Sequence, residues 1–82
     1  MAKQSSKNAL AALDGRILAA HARDDLTALA ALYGQAAELL LQDGQIGAAC
    51  FYYTHAYVFA LDAGDKNAAH FKAKLVSFGR EA

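Results

Sequence analysis

The chain has 82 residues, enough for one domain and close to the smallest size at which a hydrophobic core sustains itself. It is 56% hydrophobic, contains 21 alanines and no proline, and carries a formal net charge of zero. Balanced charge removes the electrostatic case for nucleic acid or an anionic membrane surface, and a single cysteine excludes an intrachain disulfide framework.

Alanine is the strongest helix former, and only glycine here interrupts helices, so the composition predicts an all-α fold. No apolar run reaches the length of a membrane span. The segment Ala9-Leu10-Ala11-Ala12-Leu13 follows Lys3 and Lys7, but Asp14 ends it too early for a signal peptide. A reducing cytoplasm is the expected compartment.

In chain order, residues 1–6 form a polar start expected to fray, with Ser5 or Ser6 capping a first helix that runs to about Ala22. Its apolar stripe is Leu10, Leu13, Ile17 or Leu18, and Ala20, and Gly15 is expected to mark a close helix crossing. Arg23-Asp24-Asp25 breaks the helix, and either aspartate can cap the next. The second helix, Leu26 to Gln42, is apolar nearly all round. Leu26, Leu29, Tyr33, Ala36 or Ala37, and Leu40 form one stripe, and Ala28, Leu32 and Leu39 another. Two apolar faces predict a central element sandwiched between the first and third helices.

Asp43-Gly44 closes that helix. The third, about Ile46 to Asp62, turns Ile46, Ala49, Tyr53, Ala56 and Ala60 inward, with Cys50, Tyr57 and Leu61 in a neighbouring row. Gly64-Asp65 repeats the stop–start signal. The fourth helix, about Asp65 to Phe78, has a narrow stripe of Ala68, Phe71, Leu75 and Phe78, with Lys66, Lys72, Lys74 and Arg80 away from it. Breaks this short require consecutive helices to be antiparallel neighbours.

Small residues around an aromatic let two helix axes approach closely. The pattern Tyr33-x2-Ala36-Ala37-x2-Leu40, then Gly44, then Ala49-x3-Tyr53-x2-Ala56 resembles one tetratricopeptide repeat. Ala68-x2-Phe71-x3-Leu75 resembles the first helix of a following repeat, departing from the pattern at Lys72, where a small residue is usual. The resemblance implies a scaffold whose first-type helices line a groove that receives a peptide or partner helix. On the matching face of the second helix lie Ala31, Gly34, Glu38, Leu41 and Gln42. They include no cation to clamp a carboxylate, so an apolar helix or strand is the expected occupant.

Catalytic chemistry is not expected. Cys50 and His55 lie about 140° apart on a helix, and His21 and His70 belong to other helices, so no metal-ligand spacing is present. Most carboxylates sit at helix ends, where capping accounts for them. No phosphate loop or activated nucleophile occurs. No cofactor is expected.

The aromatics Phe51, Tyr52, Tyr53, Tyr57 and Phe59 carry the remaining signal. Phe51 to Tyr53 span about 200° of one helix, so Tyr53 is core while other rings approach the surface. Surface aromatics point to an interface, and the candidate binding residues are Phe51, Tyr52, Tyr57, Glu38, Leu41 and Gln42. The expected function is a non-catalytic protein-interaction module, partnered by another protein or by itself as a homodimer. The dimer contact would use the first helix, with its surplus of Ala9, Ala12, Leu13, Ala19 and Ala20, or Phe51 and Tyr52. A helical bundle holding an apolar ligand near Tyr52, Tyr57 and His55 is the alternative.

Overall fold

A computed structural model describes residues 2–80, with side chains from Lys7 onward. It contains α1 (Ala2–Ala22), α2 (Leu26–Gln42), α3 (Ile46–Ala63) and α4 (Ala68–Ser77). The described residues contain no strand. The all-α architecture of four antiparallel helices is therefore as the composition predicts. The helical backbone of α1 begins at Ala2, upstream of the expected caps. Met1 and the Ser5 and Ser6 side chains, on which the expected frayed and capped start depends, lie outside the described residues.

One turn geometry recurs at every helix end. The amide of Asp25 bonds the carbonyl of Ala20 (3.0 Å), Gln45 bonds Leu40 (2.9 Å), Asp65 bonds Ala60 (2.8 Å) and Arg80 bonds Leu75 (2.7 Å). The residue before each of these amides has positive φ: Asp24 at 53°, Gly44 at 76°, Gly64 at 67° and Gly79 at 72°. This left-handed stop satisfies carbonyls that would otherwise end the helix unpaired. Three of the four positions use glycine, which adopts that conformation without steric cost, and the first uses aspartate. The first three stops stand twenty residues apart, so the chain reverses at regular intervals. Asp25 caps α2, its carboxylate accepting from the amide of Ala28 at 3.1 Å. Asp65 does not start α4 directly. It accepts from the amide of Asn67 at 2.9 Å and holds a tight turn, so the helix begins at Ala68 instead of at the expected Asp65.

Extensive backbone contact joins α1 to α2, α2 to α3 and α3 to α4. The thinnest dimension of the molecule is 15 Å, about two helix layers at an interaxial distance of roughly 8–10 Å. Side chains show which helices share a layer: Phe71 of α4 reaches Gly34 of α2, and His21 of α1 reaches Phe59 of α3. α2 and α4 thus lie in one layer, α1 and α3 in the other.

The core forms two clusters, and α2 contributes to both. In one, Ala37 and Leu40 meet Ala49, Tyr53 and Ala56 of α3, with Phe71 and Leu75 of α4 behind them. This is the small–aromatic–small crossing anticipated from the spacing. In the other, Leu29, Leu32 and Ala36 meet Leu13, Ile17 and Ala20 of α1. Each buried leucine or isoleucine contributes about 1.5–3 kcal/mol before conformational entropy is charged.

Of the two candidates in the α1 stripe, Ile17 enters the core and Leu18 is left 71% exposed. Other expected placements differ. Gly15 marks no crossing, since an added Cβ there would meet nothing within 4 Å. Ile46, expected inward, is exposed at the first turn of α3, and Leu61 is exposed on the outer face near its end.

Candidate functional site

Tyr33 of α2 points into the crevice between α1 and α3 and gathers rings from both. Its hydroxyl is hydrogen-bonded to His21 Nε2 of α1 at 3.1 Å. From α3, His55 stacks on it with centroids 5.0 Å apart and Phe59 at 5.6 Å, while Tyr52 tilts against it at 5.7 Å. Phe51 extends the group outward, 4.5 Å from His55 and 6.0 Å from Tyr52. His55 Nδ1 donates to the carbonyl of Phe51 at 3.0 Å, which sets the ring's orientation and tautomer. The phenols of Tyr33 and Tyr52 sit above their ordinary value, first through burial and then through the nearby Asp14 carboxylate. Both phenols are therefore neutral near neutral pH, and that of Tyr33 is the one bonded to His21.

These rings pack on one another and fill the crevice. Phe51 is the ring left over, 60% exposed at its edge. The outer face of α3 continues from it. Gly47, Phe51, Thr54, Val58 and Leu61 are all exposed and follow one another at intervals of four, three, four and three residues. Hollows flank this ridge on both sides. One of about 440 Å³ is lined by Gly47, Cys50, Phe51, Thr54 and Arg80, and one of about 260 Å³ by Thr54, His55, Val58 and Phe59.

The six residues selected from the sequence separate into different environments. Phe51 and Tyr52 come together in the aromatic group. Tyr57 packs with the α3–α4 side of the core and has no part in the Tyr33 cluster. The proposed trio of Tyr52, Tyr57 and His55 is thus divided, because Tyr57 lies about 140° round the helix from Tyr52. Glu38 lies on the opposite face of α2 from Tyr33, by the same angular argument. It accepts a 2.5 Å hydrogen bond from the Tyr53 hydroxyl, and Lys74 of α4 approaches it at 3.9 Å. Burial first, and then this bond and the carboxylate's charge, hold the Tyr53 phenol far above its ordinary value. Leu41 is half-buried against the α3–α4 cluster and Gln42 is exposed.

The expected groove face of α2 is altered in two ways. Gly34 is not available to a ligand, because Phe71 covers it. The groove also carries cations after all. Two adjoining hollows between α1 and α2 are lined by Ala9, Ala12, Arg16, Gln35 and Leu39, and by Arg16, Ala19, Arg23, Ala28 and Ala31. Arg16 comes from α1 and Arg23 from the turn just after it, so reading α2 alone could not find them. Tyr33 was visible as a member of an apolar stripe and of the repeat-like pattern, with nothing to mark it as the centre of an aromatic group. His21 and His55 had no spacing to link them to it, since their meeting depends on how α1 and α3 flank α2.

No protein family, curated protein or solved structure matches the chain. Function therefore has to be argued from its own surfaces. Among the described residues no helix is long and apolar enough to cross a membrane.

Proposed function

We propose that the chain is a non-catalytic, tetratricopeptide-like protein-interaction module that docks an apolar helix on the outer face of α3, with a second copy of itself as the first partner. The observation that carries this reading is the exposed stripe Gly47, Phe51, Thr54, Val58 and Leu61. Alternation of three and four residues is the repeat by which two helices pack side by side, knobs of one entering holes of the other. The hollows beside Phe51 and Val58 supply such holes. A stripe of this kind is costly to leave in water, and a two-fold axis covers it with its own equal. The repeat character rests on the sequence pattern Tyr33-x2-Ala36-Ala37-x2-Leu40, Gly44 and Ala49-x3-Tyr53-x2-Ala56. The proposed compartment is the reducing cytoplasm, where the lone buried Cys50 stays a thiol.

Sedimentation equilibrium at micromolar concentration tests the proposal. The parent chain is expected at twice its 8.7 kDa mass. Val58→Glu, at an exposed position, is expected at the single mass with unchanged helical circular dichroism. A parent that remains at 8.7 kDa throughout sinks the self-association.

A further inference from the structure

We propose that the groove between α1 and α2 seats one helix of a different protein, apolar on its seated face and carrying two carboxylates seven residues apart near one end. Shape comes first. On one flank of α2, α4 fills the crevice that α2 makes with α3, setting Phe71 against Gly34 and 6.3 Å from Tyr53. On the other flank α2 makes a comparable crevice with α1, and that one is open. Its two hollows, about 420 and 230 Å³, share Arg16 and Gln35 and so form one channel. Leu13 and Leu32 form its buried floor. Ala12, Ala19, Ala28 and Ala31 line its sides, small enough for another backbone to come close. From Ala9 to Arg23 the channel is about 21 Å long, close to four turns of helix. A helix is therefore the element that fits.

Charge selects which helix. Arg16 stands on the α1 rim and Arg23 just past the helix end, where its amide still bonds the Ala19 and Ala20 carbonyls, so the two are about two turns and 10 Å apart along the axis. Arg16 has no ion-pair partner among the described residues, and Arg23 meets only the exposed Asp25 at 3.4 Å, a contact that contributes little. The far end carries Glu38, already engaged by Tyr53 and approached by Lys74. The channel is thus positive toward Arg23 and negative toward Glu38, which orients an incoming helix as well as selecting it. A second copy does not match. Its α1 would bring Arg16, and Arg23 just beyond, to themselves, its α4 carries Lys72 and Lys74 with Lys66 in the turn before it, and its exposed α3 stripe has Asp62 as its only nearby carboxylate and Arg80 beside it.

The test uses the full chain and two fluorescent helical peptides of roughly 18 residues, identical in an alanine and leucine face. One carries glutamates seven apart near one end, and the other carries lysines there. In low-salt anisotropy titrations the glutamate peptide is expected to bind at least about tenfold more tightly. The double variant Arg16→Glu, Arg23→Glu is expected to reverse that preference. Ala31→Trp, which obstructs the channel from an exposed position, is expected to weaken the glutamate peptide by about tenfold or more. Val58→Glu is expected to leave peptide binding unchanged, which separates this channel from the α3 face. Equal binding of the two peptides overturns the proposal, as does indifference to Ala31→Trp. Loss of self-association in the arginine double variant also overturns it, by assigning the channel to a second copy. Circular dichroism of each variant confirms the helical fold before binding is scored.

Discussion

Phe71 of α4 closes over Gly34 of α2 so tightly that a Cβ on residue 34 would lie 2.7 Å from Cε1 and 2.9 Å from Cζ of the ring. No real Cβ contact is so short, and the ring is itself buried among α3 and α4 residues. Gly34 is therefore the residue that lets α4 share a layer with α2.

Replacing it sets two effects against each other. Gly34→Ala adds about 1 kcal/mol of helix propensity, but it forces the Phe71 ring or the whole of α4 outward, an overpacking cost of about 1–3 kcal/mol. The expected net result is a loss of about 1 kcal/mol in urea denaturation. Coupling to Phe71→Leu in a double-mutant cycle is expected to be favourable, because the smaller side chain frees the space. A Gly34→Ala protein more stable than the parent contradicts this account of the contact.

Asp24 occupies the left-handed position that glycine holds at the three other helix ends, with φ of 53°. Its side chain makes no hydrogen bond among the described residues that would offset the steric cost. Asp24→Gly is expected to stabilise the fold by about 0.5–1 kcal/mol, despite the entropy glycine adds to the unfolded chain. Gly44→Ala, at the equivalent turn, is expected to destabilise by at least about 1 kcal/mol. Thermal melts of the two variants moving in the same direction would dispose of the comparison.

Tyr53 donates its hydroxyl proton to Glu38 from a fully buried ring. Its phenol is raised above the ordinary 10.0 mainly by burial, and Tyr33 and Tyr52 are raised as well. A folded pKa above the unfolded one means stability that is complete below pH 10 and lost as pH climbs beyond it. Each such group removes about 1.4 kcal/mol per pH unit until its folded value is reached. Tyr53→Phe is expected to cost about 1 kcal/mol at neutral pH, since Glu38 is exposed enough to turn to water. It is also expected to flatten the alkaline fall. Denaturation curves between neutral pH and pH 11 check both, and an alkaline fall as steep as the parent's would remove Tyr53 from it.

Much of the fold was legible along the chain. Alanine content, the absence of proline and the Asp-Gly and Gly-Asp breaks determined four helices, and the ends of α2 emerged as read from the sequence. The crossing of Tyr53 with Ala49, Ala56, Ala37 and Leu40 was legible for the same reason: each helix carries its own share at regular spacing. Apolar periodicity is a property of one helix and survives in one dimension. It left open whether Ile17 or Leu18 is buried, because two adjacent apolar residues satisfy the period equally and only the position of α2 chooses between them.

What tertiary structure alone decided is every relation across helices that are not consecutive in the chain. Phe71 against Gly34 and His21 against Phe59 depend on how the antiparallel pairs stack into two layers. Stacking depends on the sizes of side chains at the crossings, which no spacing within one helix records. Tyr57 and Tyr52 show the consequence. They look alike in sequence, yet one packs on the α3–α4 side of the core and the other joins the Tyr33 cluster, because they lie on different faces of α3.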